Sequence, residues 1–95
     1  MPLHAEAHVA TALPRRTMTQ LCKHFEHRLP VSFDDSTGRI SFDAGTCLLE
    51  ARDNTLLLRV EAATPDSLHG VEDVVTRHLL RFAFREPPEI SWVEG

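Results

Sequence analysis

Cysteine is scarce in this sequence, and the two cysteines present do not form a recognised pair motif. Cys22 and Cys47 are separated by a long stretch of chain, and no Cys-x-x-Cys pair occurs. This arrangement excludes the usual signatures of a zinc knuckle and of a thiol redox motif. In a reducing compartment we expect both thiols to remain reduced.

Long apolar runs are also missing. No stretch approaches the roughly 18–20 apolar residues that a membrane-spanning helix needs. The first residues, Met1 to Glu6, lack the basic and apolar stretches of a secretory signal peptide. The sequence therefore predicts a cytoplasmic protein that does not act at a membrane.

Neither a basic surplus nor a recognised catalytic motif is present. The formal net charge is -4 with His neutral, whereas a dedicated nucleic-acid or anionic-membrane binder carries a basic surplus. The sequence has no Gly-x-Gly-x-x-Gly, phosphate-binding loop, nucleophile elbow, His-Glu-x-x-His or EF-hand pattern. We expect no nucleic-acid partner and no cofactor, and the sequence does not indicate an enzyme.

What the sequence does contain is the pattern of one small globular domain, which we expect to span residues 1–95. Hydrophobic residues make up 42% of the chain, enough for one core. Apolar and polar residues alternate around residues 3–13, 31–33, 40–42, 47–51 and 56–62. This period of two predicts five β-strands, each with one buried face.

Two further segments show helical spacing. Their apolar stripes are Met18, Leu21, Cys22, Phe25 and Leu29 after Pro14, and Leu68, Val71, Val74, Val75, His78, Leu79 and Phe82 after Thr64 and Pro65. Thr64 is expected to cap the second helix with its hydroxyl. With a short last strand at residues 90–93, the order β-α-β-β-β-β-α-β predicts an α+β two-layer sandwich. Its sheet is largely antiparallel, with both helices on one face.

The turns of the central strands predict which residues lie opposite one another. We expect turns at Asp35–Gly38, with Gly38 at positive φ, at Ala44–Gly45 and at Asp53–Asn54. These turns give two inward rows across four strands: Phe33, Ile40, Leu49 and Leu58, then Val31, Phe42, Cys47 and Val60. Cys47 should therefore neighbour Phe42 and Val60 on the inner face.

Two composite segments resemble a known bacterial family. Residues 20–27 read Gln-Leu-Cys-Lys-His-Phe-Glu-His, and residues 74–86 read Val-Val-Thr-Arg-His-Leu-Leu-Arg-Phe-Ala-Phe-Arg-Glu. Together with Gly38–Ile40 and Gly45–Ala51, they resemble the DUF2218 family over most of the chain, residues 9–93. Arg28 departs from the residue that the family often has after the second His.

The resemblance implies a function only indirectly. No activity is established for the family, and its members are found near, or fused to, siderophore-interacting flavin-dependent ferric reductases. The resemblance therefore implies a small non-catalytic accessory or binding module linked to iron or siderophore handling. Its partner would be such a reductase or a small anionic ligand.

The first candidate binding site lies on the polar face of the first helix. With 100° per residue, Lys23, His24 and His27 fall opposite the apolar stripe, near Arg16 and Gln20. A helix face that is merely solvated is the plain alternative. We predict that the three side chains are exposed and form a cationic patch that binds a partner or an anionic ligand. Binding should strengthen as the pH falls through roughly 6.5, where imidazoles gain charge.

Cys22, Cys47 and His78 are the alternative site, because all three are expected to face the core. Thiolates and an imidazole suit zinc or iron, so the set could serve a small metal-binding protein or an enzyme. It lacks a fourth ligand and a metal-site spacing, so ordinary core packing accounts for it as well. Under either interpretation we expect His78 to be buried with a hydrogen-bonded ring nitrogen.

A third candidate is the row of His4, Glu6 and His8, which recur at every second position of the first strand. Such a row on the outer face of a strand can chelate a metal ion. Polar strand faces are also commonly only solvated, so the row is a weaker candidate than the helix face.

Overall fold

The structure is a computed structural model and describes residues 2–81 and 90–94. Within these ranges the chain forms two helices and six strands in the predicted order. The strands are β1 (Leu3–Ala10), β2 (Val31–Phe33), β3 (Thr37–Ser41), β4 (Gly45–Arg52), β5 (Thr55–Ala62) and β6 (Val93–Glu94), and the helices are α1 (Pro14–Glu26) and α2 (Pro65–Leu80). The predicted place of Phe82 on the second helical stripe lies outside the described residues.

The strands form one sheet in the order β2-β3-β4-β5-β1-β6, and every pairing between them is antiparallel. Helix α1 packs against β2, β3, β4 and β5, and helix α2 packs against β1, β4 and β5. Both helices bury their apolar stripes against the inward-facing side chains of the sheet. The fold is therefore an α+β two-layer sandwich, as predicted.

One hydrophobic core fills the space between the sheet and the helices. It contains Ala5, Ala7, Val9, Cys47, Leu49, Leu56, Leu58 and Val60 from the sheet, and Met18, Leu21, Cys22, Phe25, Leu68, Val71, Val75 and Leu79 from the helices. These positions are the ones that the periods of two and 3.6 assign to the buried faces. Removal of their apolar surface from water is the main force that holds the two layers together.

Each helix begins at a proline, where the missing N–H costs no helical hydrogen bond. The hydroxyl of Thr64 caps α2 as predicted, because its Oγ1 accepts a hydrogen bond from the backbone N–H of Ser67 at 3.1 Å. Neither helix of the described ranges is long and apolar enough to cross a membrane.

The predicted faces of the central strands are correct, but two of the predicted turns are wrong. Ile40 of β3 lies opposite Val31 of β2 on one side and opposite Cys47 of β4 on the other. Cys47 therefore lies between Ile40 and Val60 and not beside Phe42. This register differs from the predicted one by two residues at both sides of β3. A shift of two leaves every side chain on its own face, which is why the burial pattern agreed.

The turn between β2 and β3 begins at Asp34 and not at the neighbouring Asp35. Asp34 Oδ1 accepts hydrogen bonds from the backbone N–H groups of Ser36 (2.9 Å) and Thr37 (2.8 Å), so the turn spans 34–37 instead of 35–38. At the second turn Phe42 and Gly45 exchange backbone hydrogen bonds of 2.7 and 3.3 Å. That turn is therefore Asp43–Ala44, and Gly45 is the first residue of β4.

Gly38 is not a turn residue, and the predicted positive φ at this position is wrong. It lies within β3, and no glycine of the described residues has a positive φ. A Cβ at Gly38 would lie 2.9 Å from Cys22 Sγ and 3.3 Å from Phe33 Cβ. The absence of a side chain at this position is what lets α1 lie close against β3.

Candidate functional site

The three side chains predicted as a binding patch stand at the C-terminal end of α1. Lys23 and His24 belong to the last turn of the helix, and His27 is its C-cap residue. All three are exposed, as predicted, because the opposite face of α1 buries Leu21 and Cys22 in the core.

An aromatic cluster brings this end of α1 against the C-terminal end of α2. The ring centroids of His24 and His78 are 4.9 Å apart, and each ring also packs against Phe25, at 5.3 and 4.9 Å respectively. Phe25 in turn contacts Phe42 edge-to-face at 5.2 Å. The contact therefore places one imidazole from the last turn of each helix, His24 and His78, side by side.

His78 is half-buried at the edge of the core, and the predicted hydrogen bond is present. Its Nδ1 lies 2.7 Å from the carbonyl oxygen of Val74, one turn earlier in α2. Because a carbonyl only accepts, Nδ1 carries the proton, and in the neutral ring Nε2 is left as an acceptor. His78 is less buried than predicted because its ring packs against His24 at the surface instead of entering the sheet.

Within the described residues, every charged group that shifts the pKa of His24 is basic. The pKa of His24 is lowered from 6.5, first by partial desolvation and then by repulsion from His78, Arg81, His27 and Arg28. We call His24, His27, Arg28, His78 and Arg81 the helix-end cluster. A bound anion would relieve this repulsion and favour the charged imidazole.

Lys23 lies beside this cluster and lines a different surface. Together with Arg16 and Gln20 it forms one wall of a groove of about 700 Å³. The groove is also lined by Phe33 of β2 and by Asp34 and Asp35 of the β2–β3 turn. The structure therefore separates the predicted triplet: His24 and His27 belong to the helix-end cluster, and Lys23 lines a neighbouring groove that also contains two aspartates.

Basic residues near a helix C-terminus also have a structural effect. Lys23 and His24 in α1, and Arg77 and His78 in α2, lie near the partial negative charge of the last carbonyl groups. This interaction stabilises each helix separately. It does not account for the packing of His24 directly against His78, which places imidazole rings of two elements side by side.

The two cysteines are core residues and do not form a metal site with His78. Both are free and fully buried. Burial raises the pKa of the Cys22 thiol to about 11, with a smaller effect from Glu26, and burial and the proximity of Cys22 also raise the pKa of Cys47. Protonated thiols are poor nucleophiles and poor metal ligands. The three donor atoms do not come together at the spacing of a shared metal ion within the described residues.

The row of His4, Glu6 and His8 lies on the outer face of β1, beside Ser91 and Val93. Alternate residues of a strand are separated by about 6.6 Å, so His4 and His8 are about 13 Å apart and cannot bind one ion together. The described residues contain one group at metal-ligand spacing, His69, Glu72 and Glu94. The sequence did not reveal it, because Glu94 comes close to α2 only through the pairing of β6 with β1.

The outer face of the sheet carries a groove of about 670 Å³ between charged side chains. Its apolar floor contains Leu48 and Leu57, and its walls include Glu6 and Arg59. Arg59 lies 3.8 Å from Glu6, so opposite charges neutralise each other there. This surface has no single sign of charge and suits an anionic ligand less well than the helix-end cluster.

Comparison with known proteins gives the chain a family but not an activity. None of the curated proteins matches it. It is similar to a protein whose solution structure is described as the NMR structure of PA4090 from Pseudomonas aeruginosa, with 33% sequence identity and a TM-score of 0.80. The match covers 96% of this chain and 95% of the other. Residues 6–93 match the model of a family described as uncharacterised proteins conserved in bacteria, and the chain therefore belongs to the DUF2218 family.

Proposed function

We propose that this protein is a small non-catalytic binding module whose helix-end cluster, together with Lys23, holds an anionic ligand in iron or siderophore handling. The observation that carries the proposal is the contact between His24 and His78, with ring centroids 4.9 Å apart. This contact joins the basic ends of two helices into one surface. Desolvation lowers the pKa of His24, and repulsion from His78, Arg81, His27 and Arg28 adds to the shift.

The energetics of such a surface favour an anion. In the free protein the like charges repel one another, and part of that repulsion is avoided because His24 stays neutral. A bound carboxylate or catecholate would pair with the arginines and would make protonation of His24 favourable again. Binding energy would therefore come from relieving an unfavourable arrangement as well as from new contacts.

The link to iron comes from the family resemblance and from ligand chemistry. Members of the family are found near siderophore-interacting ferric reductases, and carboxylate and catecholate groups are the hard oxygen donors that iron chelators use. Such ligands carry the negative charge that the helix-end cluster would recognise. An acidic patch on a reductase offers the same chemistry on a protein surface.

The experiment is a binding titration with two small anions, citrate and 2,3-dihydroxybenzoate, and with their ferric complexes. Backbone amide shifts of the isotope-labelled protein report the site directly. We expect the largest shifts at His24, His27 and His78. The triple variant Lys23→Gln, His24→Gln, His27→Gln should bind at least about tenfold more weakly, which is about 1.4 kcal/mol.

The matched control removes the same types of charge from the outer face of the sheet. The triple variant Arg52→Gln, His4→Gln, His8→Gln loses one cation and two imidazoles, and it should bind as the parent does. If both triple variants bind equally well, the helix ends are only a solvated surface. If neither anion shifts the cluster but a purified family-linked ferric reductase does, the ligand is the reductase surface.

A further inference from the structure

A second group of chemically active side chains lies in the N-terminal half of α2. His69 and Glu72 stand one turn apart there, and Glu94 belongs to β6. One donor atom from each residue lies within 4.8 Å of the other two, and His69 Nε2 is 3.6 Å from Glu94 Oε1. This group is separate from the helix-end cluster, and its proposed role does not depend on the function proposed above.

The fold holds Glu94 beside the helix by two independent contacts. Strand β6 pairs with β1, with Glu94 opposite Ala5. The indole N–H of Trp92 donates a hydrogen bond of 2.8 Å to Thr76 Oγ1 on α2. Because the chain from Trp92 to Glu94 runs toward the N-terminal end of α2, Glu94 is brought next to Glu72 and His69.

The carboxylate of Glu72 is partly buried without enough polar partners to replace water. Its Oε2 is buried and has no hydrogen-bond partner among the described residues. Desolvation raises the pKa of the Glu72 carboxyl, the Glu94 carboxylate raises it further, and His69 opposes the shift. Two carboxylates, one with an unpaired buried oxygen, lie beside an imidazole. A divalent cation bound by the Glu72 carboxylate would offset its desolvation and remove the repulsion between the two carboxylates.

We propose that His69, Glu72 and Glu94 bind a divalent transition-metal ion of the Zn²⁺ class, which ties β6 to α2. One imidazole and two carboxylates are ligands that Zn²⁺ accepts, with bonds of about 2.0–2.2 Å. In a tetrahedral site such bonds place neighbouring donor atoms about 3.3 Å apart. The separation of 3.6 Å between His69 and Glu94 is already near this value.

The side chains can complete the geometry without a change of backbone. The side chains of His69 and Glu94 are 64% and 62% exposed, so their rotamers are free to adjust. Their exposure also leaves room for water at the fourth position. Because the ion would bridge a helix and a strand that are far apart in the sequence, it would stabilise the folded chain.

The test uses the full-length chain without a His tag, treated with a chelator and then titrated with ZnCl₂. We expect one ion per chain, a melting temperature that rises by several degrees, and weaker binding at acid pH because the ligands must be deprotonated. Glu72→Gln and, separately, His69→Asn should each weaken Zn²⁺ binding at least about tenfold. Asp73→Asn is the matched control and should bind as the parent does, because Asp73 faces Arg77, at 2.9 Å.

A second measurement identifies the site directly. On addition of Zn²⁺ the imidazole nitrogens of His69 should shift most in the NMR spectrum. If the largest shifts occur at His4 or His8 instead, the proposal is overturned. It is also overturned if Glu72→Gln and Asp73→Asn bind Zn²⁺ equally well, or if the parent chain binds no ion in the micromolar range. His69 and Asp73 are exposed and Glu72 is half-buried, so we expect each variant to fold, and its amide spectrum verifies this.

Discussion

At the scale of single residues, the side chain that a position can hold depends on neighbours that are distant in the sequence. Gly38 illustrates this point. A glycine after Asp-Ser-Thr predicts a turn with positive φ, yet Gly38 lies in β3. A side chain is excluded there because a Cβ would lie 2.9 Å from Cys22 Sγ. The physical reason is the close packing of α1 on β3, which no local pattern in the sequence reveals.

Gly38→Ala should therefore destabilise the protein, by about 1–3 kcal/mol, because the added methyl group overpacks the contact with Cys22. Chemical denaturation measures the effect. Gly70→Ala is the matched control: Gly70 lies within α2, and a Cβ there meets nothing within 4 Å. That substitution should stabilise the chain by up to about 1 kcal/mol. Equal effects of the two substitutions would contradict the packing explanation.

The two thiols give a further prediction at this scale. Because Cys22 and Cys47 are buried and their pKa values are raised, both should react with a thiol reagent at neutral pH only as fast as the chain unfolds. The rate of labelling should rise with denaturant in step with unfolding. Rapid labelling of either thiol in the native protein would contradict their placement in the core.

At the scale of elements, periodicity predicted the type of each segment and the face of each side chain, but not the pairing around β3. The alternation that buries Ile40, Cys47 and Val60 is the same in two registers that differ by two residues. The register is selected by turn chemistry. The sequence offers Asp34 and Asp35 side by side, and only the hydrogen bonds of Asp34 distinguish them.

Asp34→Ala should destabilise the β2–β3 turn, and the effect should depend on pH. Backbone hydrogen bonds from Ser36 and Thr37 lower the pKa of Asp34 below 3.8. Its contribution to stability is therefore present above pH 3.8, and it is lost as the pH falls through the lowered pKa. Denaturation curves of the variant and the parent should differ at pH 7 and converge in strong acid. Asp35→Ala, one residue away, should show neither effect. If Asp35→Ala lowers stability in this pH-dependent way, Asp35 and not Asp34 accepts the hydrogen bonds of the turn.

At the scale of the whole molecule, the helix-end cluster, which we propose to bind anions, gathers basic residues on a chain with a net charge of -4. The 3.6-residue period was sufficient to predict that Lys23, His24 and His27 are exposed. It could not predict that His78 and Arg81 join His24, because that contact depends on how two helices pack on one sheet. For the same reason it could not predict that Lys23 would line a separate groove.

Electrostatic binding at this surface should be sensitive to salt. Exposed charges are screened over about 8–10 Å at physiological ionic strength, so citrate should bind more weakly as NaCl is raised from 20 to about 300 mM. Isothermal titration calorimetry at several salt concentrations measures the trend. Affinity that does not change with salt would show that the anion is held elsewhere or by uncharged contacts.

The pH dependence of the free protein follows from the lowered pKa of His24. The folded chain binds fewer protons than the unfolded chain at this position, so His24 reduces stability as the pH falls below 6.5. An anion bound at the helix-end cluster would favour the charged ring and offset this loss. Binding should accordingly strengthen toward acid pH, as long as the anion keeps its own charge.

The most direct measurement is the titration of the His24 imidazole by NMR, with and without saturating citrate. We predict that the pKa of His24 lies below 6.5 in the free protein and rises when citrate is present. A pKa of His24 that is the same with and without citrate would contradict the proposal that the helix-end cluster binds anions.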